Sequence, residues 1–156
     1  MNEQVLVNPW WAALTTWGGV NLVNLLQSAG FLSRVITKSM AINHMLGYGM
    51  MALALPAVIA LVAFVRVRAD WSQWIGLAVF LAFLALMIAV EYIWPVEFRS
   101  PARYEILVPY LVLFFGSILL MGLPMFRMDR RLWLVTLATS ILLLTSMVMA
   151  IRKGVG

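Results

Sequence analysis

WSQWIGLAVFLAFLALMIAV, residues 71–90, decides the fold. It holds 20 residues and no charge. At a helical rise of about 1.5 Å per residue, that length matches the roughly 30 Å of hydrocarbon in a bilayer. Main-chain N–H and C=O groups find no water there, so a crossing segment must pair them internally, as a helix does. Trp71 and Trp74 open the stretch, and tryptophan is enriched where membrane meets water. Length, composition and ends all read as a transmembrane helix.

Working outward, the chain repeats this pattern. Of its 156 residues 64% are hydrophobic and 11% charged, with a mean hydropathy of +0.98. A soluble domain is nearer half apolar and a quarter charged. The charges cluster and leave uncharged windows at 4–33, 39–65, 71–90, 106–126 and 132–151. The chain therefore reads as an all-α integral membrane protein, a compact bundle of five transmembrane helices with short loops. The spans fall at about 9–33, 42–65, 72–94, 106–126 and 132–151, in a single domain without internal repeats. The start MNEQVLVNPWW carries Glu3 and no basic residue, and no cleavage site follows it, so it reads as mature chain.

The most polar connection is EYIWPVEFRSPARYEILVPY, residues 91–110. Tyr92, Trp94, Tyr104 and Tyr110 suit an interfacial belt. Pro95 and Pro101 end the helix and shape a turn. Glu97, Arg99, Arg103 and Glu105 are balanced in charge and able to pair with one another. Glu91 lies four residues inside the helix end, where an ionisable group is a functional candidate by default. It either pairs with Arg99 or Arg103, snorkels, or meets a second helix, since it points away from the small-residue seam Ile75, Ala78, Ala82, Ala85, Ala89 and Tyr92.

The first span carries a stripe in which residues 10, 14, 17, 21, 24, 28 and 31 alternate steps of four and three. Trp17, Asn21, Asn24 and Ser28 lie on it, and Gln27 borders it. An unpaired amide at mid-membrane is costly, so this stripe faces protein, water or a ligand and not lipid. The second span places the only histidine, His44, on one face with Tyr48. Pro56 kinks that span, Pro109 occupies the first turn of the fourth, Gly116 and Gly122 admit close neighbours, and Pro124 marks the fourth span's end. The fifth span has a small, weakly polar seam at Leu132, Thr136, Thr139, Leu143, Ser146 and Ala150.

Several chemistries are excluded. With no cysteine and one histidine, no ordinary protein-only zinc or iron site can form. No cofactor is predicted, although a haem or pigment held by His44 alone is conceivable. No metal site, phosphate-cradling loop or hydrolase triad is indicated. The net charge of +5 sits beside the spans and suits anionic lipid headgroups, not nucleic acid. Arg66, Arg68, Arg127, Arg130 and Arg131 lie on one side, and Arg34, Lys38, Arg99, Arg103, Arg152 and Lys153 on the other. The first helix has basic residues only after it, which favours an outside N-terminus and a cytoplasmic C-terminus.

Three functional classes follow. The first is a non-catalytic subunit or scaffold, with membrane lipids and other membrane-protein subunits as partners. The second is a binder or carrier of an apolar molecule with a polar head, such as a quinone or lipid, using Trp17, Asn21, Asn24, Gln27, His44 and Tyr48. The third is a lipid-modifying enzyme with acid–base chemistry at His44 and Glu91.

Overall fold

A computed structural model describes residues 9–99 and 102–154. Glu3 and Pro101 lie outside the described residues. Six α-helices occur among the described residues: α1 (Trp10–Thr37), α2 (Ala41–Ala52), α3 (Ala54–Arg66), α4 (Trp71–Ile88), α5 (Tyr104–Met128) and α6 (Arg130–Arg152). A π-helical turn, Ala89–Ile93, extends α4. There is no strand among the described residues. Four helices are long and apolar enough to cross a membrane: α2 with α3, α4 with its π turn, α5, and α6. The chain is thus an all-α, membrane-spanning bundle by length and composition.

Local chemistry sets the helix ends. Asp70 precedes α4 and accepts from the Ser72 N–H at 3.4 Å, and Asp129 precedes α6 and accepts from Arg131 N–H at 2.8 Å. Each oxygen satisfies a donor the helix start leaves orphaned. Pro56 acts as predicted but upstream of itself. Its ring crowds the carbonyl four residues earlier, so the helix is interrupted between Ala52 and Ala54, where Leu53 N–H turns back to Met50 at 3.1 Å. Pro124 does not end its helix. α5 runs on to Met128, and Pro109 lies inside it, because α5 already begins at Tyr104. Neighbouring helices make interior prolines tolerable in membranes.

α1 is the hub, packed on α2, α3, α5 and α6, while α4 packs on α3 and α5. α1 and α6 run parallel. Trp17, Asn21 and Asn24 bond to Leu132, Thr136 and Thr139, each 115 residues further on. A constant offset means that α1 packs alongside the apolar α6 in the same direction. That explains how the most polar helix belongs in the bundle. Its buried residues include Thr16, Asn21, Asn24, Ser28 and Arg34, whereas Trp11, Leu14, Leu22 and Leu25 make an exposed apolar stripe.

The aromatic side of α4 turns inward. Phe80, Phe83 and Met87 are buried, and the Phe83 ring meets Tyr110 and Phe114 of α5 at 5.2 and 5.1 Å. The alanine seam therefore faces outward, with Ala82 and Ala85 exposed. The tight glycine is Gly76: a Cβ there would sit 2.6 Å from the Met121 main-chain nitrogen, so only glycine lets α4 and α5 approach this closely. Gly122 meets Thr136 at ordinary contact distance, and at Gly116 the nearest neighbour is 4.0 Å away.

Candidate functional site

The polar stripe of α1 closes on protein. Trp17 donates its indole N–H to the Leu132 carbonyl at 2.9 Å. Asn21 donates to the Trp17 carbonyl at 2.7 Å and to Thr136 at 3.2 Å, and accepts from Thr139 at 2.8 Å. Asn24 donates to Thr139 and Ser140, each at 3.0 Å, while its own side-chain oxygen is buried without a partner. The seam read on the fifth span is thus the partner of the stripe read on the first. Of the six residues grouped in the sequence as a ligand site, Trp17, Asn21 and Asn24 are engaged here. Gln27, which also meets Met50, reaches a cavity. His44 and Tyr48 lie apart on exposed positions of α2, against Tyr92, whose hydroxyl donates to the His44 carbonyl at 2.9 Å.

Two cavities lie at the other end of this seam. The larger, about 650 Å³, is open to the membrane face and is lined by Arg34, Lys38, His44, Glu91, Glu97 and Arg99 among others. The smaller, about 240 Å³, is wedged between α1, α5 and α6 by Phe31, Tyr110, Leu111, Phe114, Phe115 and Met147. α5 and α6 converge near their connecting turn, where Phe126 packs on Trp133, and diverge around this cavity. Arg34 and Arg99 line both spaces and form the boundary between them.

The two arginines differ. Arg99 is ion-paired with Glu91, the single ion pair among the described residues. Glu91 continues the inward face of α4 after Met87, which answers the question of its direction: a second helix, α5, packs there. The Tyr110 hydroxyl of α5 donates to the same carboxylate oxygen at 2.8 Å, and Arg99 lies 3.4 Å from that hydroxyl, its guanidinium 4.7 Å from the Phe98 ring centre. The π turn places Glu91 on this site, with Trp94 N–H reaching back five residues to Ala89 at 2.9 Å. Such wide turns recur at functional sites. Arg99 pairs with Glu91 and with none of the other carboxylates of the connection; Arg103 and Glu105 are exposed.

Arg34, in the last turn of α1, is only 4% exposed. Its guanidinium lies 4.6 Å from the Phe31 ring centre and 3.5 Å from the Asn43 side-chain oxygen, and its Nε has no partner. No carboxylate among the described residues is within ion-pair distance of it. Isolated buried charges cost several kcal/mol, so this residue is chemically incomplete on its own. Neither Arg34 nor Tyr110 stood out in the sequence as a site residue. The one available signal was that Arg34 lies one turn beyond Phe31, at the end of the polar stripe.

No group of three or more metal-ligating side chains occurs among the described residues. The larger cavity is lined mainly by charged and polar side chains and the smaller mainly by apolar ones. Comparison with known proteins finds no matching family, no similar curated protein and no similar solved structure. The class defined by fold and geometry is a membrane-spanning helical bundle with a paired polar and apolar cavity at one face.

Proposed function

We propose that this chain is a non-catalytic binder or carrier of an amphiphilic membrane molecule of the quinone or lipid class. The observation that carries the reading is the junction of the two cavities at Arg34 and Arg99. Their combined size falls in the range of about 300–1,000 Å³ usual for small-molecule sites, and apolar lining with few polar contacts is the usual composition of such sites. The binding residues in this reading are Arg34, Gln27 and the Tyr110–Phe114 side of α5, with His44 at the mouth. The end of α6 with Arg152, together with Lys38 and Arg103, lies at the cavity end, and we place that end in the cytoplasm, where anionic lipid attracts basic residues. Single cysteines introduced at Lys153 and at Arg68 test the orientation: a membrane-impermeant thiol reagent added to intact cells should label only the second.

The binding test is native mass spectrometry of the chain extracted in mild detergent. A bound mass of a few hundred daltons, on the order of a pocket-sized ligand, is the expected result. Phe114→Trp, which fills the smaller cavity, should remove it. A bare chain, or a bound mass indifferent to Phe114→Trp, would overturn the reading.

A second reading, a structural subunit of a larger membrane assembly, is favoured by the exposed Ala82 and Ala85 on α4. Small residues let helices approach closely in lipid, where packing drives association. Other polypeptides at fixed stoichiometry, lost in Ala85→Leu, would support it; a preparation containing only this chain would sink it.

A further inference from the structure

We infer that the head of the bound molecule is a phosphate-type anion, carried by an acidic membrane lipid, and that Arg34 is the residue that reads it. This rests on the amphiphile reading above.

The argument begins with the unmatched charge. Arg34 is buried, has an unpartnered Nε, and faces both cavities. A guanidinium removed from water needs a counter-anion or a set of acceptors, and the protein supplies one oxygen at the 3.5 Å limit. The wider cavity has the same sign. Three cations, Arg34, Lys38 and Arg99, face two carboxylates, Glu91 and Glu97. Glu91 is already occupied by Arg99 and Tyr110, and Glu97 is exposed. The excess positive charge therefore lies on the Arg34 and Lys38 side.

The placement agrees. Arg34 lines both cavities, and Lys38, one turn further along α1, lines the larger one only. A neutral head, such as a quinone ring, offers carbonyl acceptors but no counter-charge to the guanidinium. A tetrahedral phosphate matches its planar fork and accepts two parallel N–H bonds. The Glu91–Arg99–Tyr110 latch has a defined part in this site. It neutralises the second guanidinium, so that one arginine, not two, is free to meet the anion.

The test uses the full chain in neutral detergent, with thermal unfolding as readout. It is titrated with dioleoyl phosphatidic acid, with dioleoylglycerol, which has the same chains and no phosphate, and with inorganic phosphate. Phosphatidic acid should bind about 10-fold or more tighter than dioleoylglycerol, the order expected of one charge-assisted contact. In Arg34→Gln that preference should vanish, with phosphatidic acid binding no tighter than dioleoylglycerol in the same variant. Should Arg34→Gln lose its cooperative transition, Arg34→Lys carries the test. It keeps the charge without the fork, so the preference should fall several-fold and not disappear. Equal binding of the two lipids, unchanged in the variants, would overturn the anionic head and leave the amphiphile reading standing. Binding of neither lipid would overturn the amphiphile reading itself. Stabilisation by inorganic phosphate as strong as by phosphatidic acid, and equally dependent on Arg34, would overturn the lipid source in favour of a free phosphate compound.

Discussion

The α1–α6 seam and the cavity end of the same two helices are both polar, and they resolve that polarity in opposite ways. In the seam, Asn21 and Asn24 meet Thr136, Thr139 and Ser140, and most of their hydrogen-bonding capacity is spent within the protein. About three turns beyond Asn24 along α1, Arg34 is as deeply buried and meets almost nothing. Polar groups in a membrane bundle are structural where a neighbouring helix supplies the complementary groups, and available for a ligand where it does not. Burial alone does not separate the two cases; the partner inventory does.

The largest effect that would sharpen this contrast is expected at the latch. Glu91→Gln leaves Arg99 without its counter-charge and should destabilise the fold by about 3 kcal/mol, the low end for breaking a buried pair, because Arg99 keeps 28% of its side chain exposed. The same change makes the cavity more positive. Thermal unfolding should fall while phosphatidic acid affinity, measured in the same sample, rises. A loss of both would place Glu91 in a purely structural role.

Next in size is the seam. Asn21→Leu combined with Asn24→Leu removes the amides from four interhelical bonds. At roughly 0.6 kcal/mol per contact in membranes, the loss should be about 1–2 kcal/mol, and less than additive because both amides share Thr139. Native mass spectrometry should show the ligand retained. Ligand loss with unchanged stability would move the binding site to the seam and break the distinction.

Arg34→Leu should act with the opposite sign. Replacing an unpaired buried charge by a side chain of similar bulk is neutral or stabilising, so the ligand-free protein should gain about 1 kcal/mol in unfolding assays and lose its preference for an anionic lipid. A clear destabilisation would show that Arg34 has partners within the fold. The smallest effect is expected at Thr139→Val, about 0.6 kcal/mol, with no change in ligand occupancy. It tests whether the hydroxyl shared by Asn21 and Asn24 is as modest as membrane hydrogen bonds usually are.

Much of this was legible before any coordinates. The uncharged windows marked the helices, and their steps of four and three marked both stripes that pair in the seam. Glu91 stood out as an ionisable group inside a helix end, and Arg99 was one of two partners assigned to it. These readings succeed because hydrophobic length and helical periodicity are local properties, and a bilayer leaves the backbone few alternatives. The reading of Pro124 as a stop failed for a related reason: the penalty for an interior proline is local, but its compensation by neighbouring helices is not.

What the sequence by itself determined is an all-α membrane bundle, the faces of its helices, and the short list of polar residues able to matter. Only the tertiary structure decided which face meets which. It turned the phenylalanine side of α4 onto α5 and the alanine side outward. It set Asn21 and Asn24 against hydroxyls of α6 and left Arg34 beside two cavities without an ion-pair partner among the described residues. The physical reason is that a side chain's chemistry depends on which groups satisfy it, and those groups lie more than a hundred residues away for Asn21, while for Arg34 none of the described carboxylates reaches it.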